Sequence, residues 1–314
     1  MKKIIFACLL LLYLFFSCNA QIKTKIGVER TYGIEFLEND AIRKFGENNE
    51  QIKQMRSLSY KKIIARLNAL GYQTEEIVQD ANSLNRRMLK IFNVDDESFV
   101  NSIIQTTGKF DIWETYCDYD RAKQLKDSLS NDNEIAYLLT ENLKFNDDFS
   151  CRYATDTYAH LLTNRRIVYN NYWDYLMSLF SKHKIFENLQ FMRGIFKNET
   201  PIYTIKTGKN GHSLLNENYI KNTGIIEQDD KYQIVVQFDE QGTLLWQQIT
   251  KDNFGKQIAV SIDDCVYSCA IVNKEITNGK VEILMSFGKE EAEALSVVLK
   301  SGALPLSCFI VLVY

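Results

Sequence analysis

Four pairs of adjacent aspartates, three histidines and seven cysteines are the residues of this chain that could do chemistry. The pairs are Asp95-Asp96, Asp147-Asp148, Asp229-Asp230 and Asp263-Asp264. Acid–base work by two carboxylates needs both to converge on one substrate. Adjacent side chains on a strand or helix diverge instead, and each pair falls where a cap or turn is expected, so all four read as solvated punctuation. His212-Ser213 could supply a base and a nucleophile, but no Gly-x-Ser-x-Gly elbow surrounds it and no third member is evident. His160 and His183 fall in segments with helical spacing and read as packed or surface residues. No glycine loop is built to cradle phosphate, and the cysteines contain no Cys-x-x-Cys and no clustering with histidine that would hold zinc. The expectation is a protein that is not an enzyme, with no catalytic, cofactor-binding or metal-ligating residues.

Which elements would position these residues? Helical spacing is clearest over Gln51–Leu70, where Tyr60, Ile63, Leu67 and Leu70 line one face and Gly71 stops the helix. Strands are predicted at Tyr32–Leu37, Glu75–Asp80, Arg86–Phe92 and Phe110–Tyr116, with a helix from Asp95 to Gly108 between the last two. That order, β-α-β-β-α-β, is the ferredoxin-like arrangement. Residues 119–200 read as a helical insertion, with an aromatic stripe of Tyr169, Tyr172, Trp173, Leu176, Leu179 and Phe180. A second α+β lobe is predicted over 201–305. Its strands are Ile202–Lys206, Gln233–Asp239, Gln257–Ile262, Cys265–Val272 and Val281–Met285. Its helices are Gly242–Phe254 and Glu290–Lys300, the second ended by Gly302. Ile258, Val260 and Ile262 alternate with polar or small residues, the period of a half-buried strand. Residues 306–314 are predicted to return as a strand to the first lobe. The fold class is therefore α+β, a ferredoxin-like base over 51–118 with a head lobe. The lobes would be joined by a hinge near Thr200, Pro201, Gly302 and Pro305.

The N-terminus reads as an export signal over 1–20. Lys2-Lys3 precede the apolar run Ile4–Phe16, whose helical length of ~20 Å falls short of a bilayer core of ~30 Å. Phe-Phe-Ser-Cys resembles a lipoprotein box, so cleavage before Cys18 would leave a lipidated terminus; cleavage after Ala20 is the alternative. Residues 21–50 are a tether and first strand. No other segment reaches spanning length, and a net charge of −3 gives no basic footprint for nucleic acid. Cys117, Cys151, Cys265, Cys269 and Cys308 would then remain, an odd number whose pairing stays open. Cys265 and Cys269, ~13 Å apart along one strand, cannot bridge each other.

Several stretches together resemble the first periplasmic domain of SecD, a subunit of the bacterial protein-export translocase, especially the fused SecDF of Bacteroidetes type. They are Ile64-Ala-Arg-Leu-Asn-Ala-Leu-Gly, Val94-Asp-Asp, Phe110-Asp-Ile-Trp-Glu-Thr-Tyr, the strand after Gly255-Lys256, the Val266-Tyr-Ser return, Glu275-Ile-Thr, Glu290-Glu-Ala and Ser301-Gly-Ala-Leu-Pro. The resemblance implies a base and a head, the head holding emerging preprotein and moving relative to the base. Departures fall at turns: Asp263-Asp264-Cys265 replaces Asp-Gly, Ala270 stands in the place of a proline, and Ile91-Phe92-Asn93 replaces Leu-Pro-Gly. Client-contact residues are not carried over. The family draws on proton flow through membrane-embedded carboxylates, and this sequence has no such segments.

The expected function is thus a membrane-tethered, non-catalytic holder of unfolded or exported polypeptides outside the cytoplasm, on the periplasmic face or envelope of a Gram-negative cell. Its partners would be those chains, the translocase, and the membrane through the lipid anchor. The alternative is a scaffold lipoprotein that kept the fold without an export role.

Overall fold

The structure, a computed structural model, describes residues 27–47, 49–77, 86–115, 143–144, 157–162, 177–178, 190–195, 199–207, 211–229 and 231–313. Cys18, Cys117, Cys151, His183, Asp147-Asp148, Asp230 and the whole stripe of Tyr169, Tyr172, Trp173, Leu176, Leu179 and Phe180 lie outside them.

The first lobe is an antiparallel sheet under helices. Strand β1 (Val28–Phe36) is followed by helices α1 (Asn39–Phe45) and α2 (Glu50–Ala69), then strands β2 (Gln73–Ile77) and β3 (Arg86–Val94) and helix α3 (Glu97–Gln105). The oxygen of Asn49 accepts the Gln51 amide at 2.8 Å and starts α2. The oxygen of Asp96 caps α3 by accepting from Phe99 N at 3.0 Å. One face of the sheet (Tyr32, Ile34, Phe36, Leu89, Ile91) packs on Tyr60, Ile63 and Leu67 of α2 and on Val100, Ile103 and Ile104 of α3. Charges occupy the other face, where Glu35 pairs with Arg86 at 3.2 Å and Glu29 with Lys90 at 2.6 Å.

The predicted six-element run does not close on itself. The strand expected at Phe110–Tyr116, here β4 (Phe110–Thr115), leaves this sheet altogether. Its expected place beside β1 is taken by the C-terminal strand β15 (Cys308–Val313), giving the order β15-β1-β3-β2. The strand-like residues of 110–115 do not encode which sheet they join; the tertiary partner decides.

Tyr32 is fully buried in this lobe, and its hydroxyl has no hydrogen-bond partner among the described residues. An unpaired buried donor costs free energy. Tyr32→Phe is therefore expected to raise stability by about 1 kcal/mol, read from denaturant midpoints. Burial, reinforced by Glu97 and opposed by Arg30, pushes the Tyr32 phenol up to about 12. A raised pKa supports stability fully below the ordinary tyrosine value and loses it as pH climbs through the folded value. The wild type should thus lose stability above pH ~10, and Tyr32→Phe should lose less. Equal alkaline losses in both proteins would refute the assignment.

The second lobe opens with β4 and has two layers. Strands β5 (Leu143–Lys144), β6 (Thr157–Leu162), β7 (Gln190–Gly194), β8 (Glu199–Lys206) and β9 (Leu215–Asn216) follow. Next come β10 (Ile220–Gln228), β11 (Lys231–Phe238), helix α4 (Glu240–Asp252), β12 (Gln257–Ile262), β13 (Cys265–Ile271), β14 (Lys280–Phe287) and helix α5 (Lys289–Ser301). Within 119–200, expected to be helical, the described secondary structure is mostly strand; Thr157–Leu162 pairs with β8.

Strands β4, β8, β7, β13 and β12 pair in a closed ring, sealed by short ladders: Glu114–Lys206 and Thr115–Ile205 on one side, Cys265–Arg193 and Val266–Gly194 on another. Each strand sends one buried residue into a common core: Trp113, Ile205, Met192, Val266 and Ala259. The ring is a filled small barrel. The opposite faces of β4 and β12 (Phe110, Ile112, Ile258, Val260, Ile262) pack on the three-stranded sheet β10-β11-β14 and on α4 and α5. Strand β12 is therefore buried on both faces, not half-buried as its alternation predicts; Ala259 and Ser261 are small because they fill the barrel.

Candidate functional site: the junction of the two lobes

The chain passes between the lobes twice. Thr106–Lys109 leads from α3 into β4, and Gly302–Ser307 leads from α5 back to β15. The two connectors touch, with Leu304 N donating to Thr107 O at 2.8 Å. Helix α2 holds the returning connector with three residues spaced three and four apart, hence on one face. The hydroxyl of Ser59 accepts Leu306 N at 2.9 Å, Lys62 Nζ donates to Ala303 O at 2.9 Å, and Arg66 reaches Ser301 and Gly302.

Arg66 is the centre of this site and is fully buried. Its Nε donates to Ser301 Oγ at 2.7 Å, Nη1 to Thr106 O at 2.6 Å, and Nη2 to Thr107 O and Gly302 O, both at 2.9 Å. One planar guanidinium thus binds both connectors, the use of arginine that a lysine cannot reproduce. Burial draws it down to about 10, opposed first by the Asp263 carboxylate, so it remains charged at neutral pH. Gly108 lets the guanidinium close in: its φ is +80°, and a Cβ there would stand 2.7 Å from Val298 Cγ1 and 3.0 Å from Arg66 Nη2.

Asp263 secures the outgoing connector from the other side. Asp263 and Asp264 both adopt left-handed backbone, with φ of 49° and 58°, as the turn of the β12–β13 hairpin. The Asp263 carboxylate accepts from Thr107 N at 2.9 Å, Lys109 N at 2.8 Å and the Thr107 hydroxyl. Lys109 Nζ bonds Asp264 at 2.9 Å and lies 3.3 Å from Asp111.

The structure separates the residues expected to form the hinge. Gly302 and Pro305 lie in the returning connector, whereas Thr200 and Pro201 lie within β8, opposite Leu161 and His160 of β6. The second crossing is Thr106–Lys109. Sequence reading missed Arg66 and Asp263. A usable signal was present: an arginine set among Ile63, Leu67 and Leu70 on an apolar helix face, with Ser59 and Lys62 in line.

The other candidates stay apart. His212 is exposed, while Ser213 Oγ donates to the buried Asp111 carboxylate at 2.5 Å. Cys265 and Cys308 are free thiols. Burial, eased by Arg66, pushes Cys308 up to about 12. Among the described residues, no group of three or more His, Cys, Asp or Glu could hold a metal, and no helix is long and apolar enough to cross a membrane.

These features define a two-lobed α+β module pinned at a double crossing. Residues 203–306 match the family model described as SecDF, P1 head subdomain, so this region is SecD-like. Over 98 residues the chain is 38% identical to the protein translocase subunit SecD of Syntrophobacter fumaroxidans, covering 31% of this chain and 18% of that one. It is 37% identical over 109 residues to SecD of Sebaldella termitidis, covering 33% and 27% of the two chains. With SecDF of Thermus thermophilus it shares 30% identity over 82 residues, 26% of this chain and 11% of that one. The matches therefore span between about a tenth and a quarter of those relatives' lengths. The mixed α+β fold is shared with a crystal structure of SecDF in a super-membrane-facing form, at a TM-score of 0.52 and 14% identity, covering 97% of this chain and 33% of that one.

Proposed function

We propose that this protein holds exported polypeptides outside the cytoplasm as an accessory to protein translocation, without bond chemistry. The match of residues 203–306 to the SecDF head subdomain carries the reading. In it, the first lobe is a ferredoxin-like base whose last strand comes from the C-terminus, and the second lobe is the head. Thr106–Lys109 and Gly302–Pro305 are the pivot, with Arg66 and Asp263 setting its stiffness. A lipid on Cys18 tethers the protein to the membrane, each buried methylene contributing ~0.8 kcal/mol.

The test is in-cell photocrosslinking from Leu244 of α4, which is 68% exposed. Enrichment of nascent exported chains is expected; recovery of one folded partner would favour the scaffold alternative instead. Cys18→Ala should abolish lipid labelling and release the protein from membranes, and continued membrane retention would overturn the anchor.

A further inference from the structure

Strand β10 is the edge of the second lobe's three-stranded sheet. It pairs with β11 on one side alone among the described residues. The opposite edge, β14, lies against β13, where Phe287 stacks on Tyr267. Every residue from Gly224 to Gln228 is exposed, including Ile225 at 37% and Ile226 at 42%.

The two isoleucines point to opposite faces. Ile225 stands opposite the buried Ile234, on the core side, and Ile226 opposite Gln233 on the outer side. On the core side, α5 reaches β10 through Thr223, whose hydroxyl donates to Ser296 O at 2.8 Å. Ile225, on the same side of the strand, is left 37% exposed. Natural edges are usually blunted by charge, bulge or proline. Here the bulge and Lys221 lie near one end and Glu227 near the other, so Asn222 to Ile226 is uncharged.

We infer that the outer edge of β10 is where the protein takes an extended polypeptide segment, which joins the sheet as an added strand. The inference rests on the holder reading above and names its surface. An open strand edge presents alternating N–H and C=O groups, and the ligand that matches them is another extended backbone. Ile225 and Ile226 then supply apolar contact on each face of the added strand. Backbone pairing is indifferent to most side chains, as a protein that meets many different chains requires.

Hydrogen exchange and fluorescence anisotropy on the full chain test this, using a labelled Thr/Val-alternating peptide of about twelve residues with charged ends, long enough to span the edge. The peptide should bind and slow exchange of the amides of Ile220–Gln228. The same peptide N-methylated at alternate residues keeps its side chains but loses one hydrogen-bonding edge, and should bind at least about tenfold more weakly. Ile226→Lys, at an exposed site turned from the core, should weaken binding similarly while leaving the melting temperature unchanged. Equal binding of both peptides, or protection elsewhere, overturns the edge site. If crosslinking still recovers exported chains in that case, the holder reading stands without it; if crosslinking recovers none, the holder reading itself fails. A concentration-dependent dimer abolished by Ile226→Lys, with no peptide binding, would assign the edge to a second copy and overturn the inference.

Discussion

Replacement of Arg66 by methionine is expected to destabilise the protein by about 3–5 kcal/mol, the loss that follows when a buried charged network is broken from one side. Methionine fills much of the volume, so the effect reads the hydrogen bonds more than a cavity. Four hydrogen bonds are lost together, those to the carbonyls of Thr106, Thr107 and Gly302 and to the Ser301 hydroxyl, with Thr107 O keeping its bond from Leu304 N. Lysine should rescue little, because a single ammonium cannot reach both connectors. Loss of the guanidinium also frees the lobes from each other. Spin labels on the exposed Leu58 of α2 and Leu244 of α4 should therefore show a broader distance distribution in the variant. An unchanged distribution with lowered stability would mean that Arg66 supports the first lobe and has no part in coupling. Asp263→Asn acts on the same connector from the second lobe and should broaden the distribution while costing less, since Asn keeps one acceptor oxygen.

The second large effect is expected at Trp113. Its ring occupies the barrel with Met192, Ile205, Ala259 and Val266, and its Nε1 donates to the buried Ser261 hydroxyl at 2.9 Å. Trp113→Ala should cost about 3–5 kcal/mol, because neighbours from four other strands cannot all collapse into the space. Trp113→Phe keeps most of the packing but leaves Ser261 without its donor, and should cost about 1–2 kcal/mol. The barrel closes through short ladders at β4–β8 and β13–β7. Amides of β7 and β8 should therefore lose hydrogen-exchange protection first in the alanine variant, ahead of β10 and β11. Uniform loss would show that barrel and sheet unfold as one unit.

Local signals in the sequence located most elements outside residues 119–200. Helix α2, the Asp263-Asp264 hairpin and helix α5 lie within a few residues of where periodicity, turn chemistry and terminating glycines put them. What local pattern could not supply was partnership. Strand β4 has the same residues whether it lies in the base or the barrel, and only its pairing with β12 decides. Ala259 and Ser261 looked like the solvent face of β12 because small residues lining a narrow barrel resemble a polar alternation. Thr157–Leu162 carries apolar spacing compatible with a helix, yet its backbone pairs with β8. At the junction, an arginine and an aspartate far apart in sequence converge on one four-residue connector, and nothing in either neighbourhood announces the other. In the sequence Asp263 is turn punctuation; in the structure it is that, and it also accepts three bonds from across the chain.

The pairing of β1 with β15 constrains how the molecule can be made. Residues Tyr32 to Phe36 find their partners at Val313 to Cys308, so one side of β1 stays open until β15, far downstream in sequence, has been synthesised. A contact between strands so far apart in sequence carries a loop-closure cost that slows its formation. The intervening lobe must become compact first, because only then do Gly302–Ser307 and the last strand sit beside α2. Refolding should accordingly show barrel and sheet amides protected before those of β1, with the N-terminal lobe last to mature.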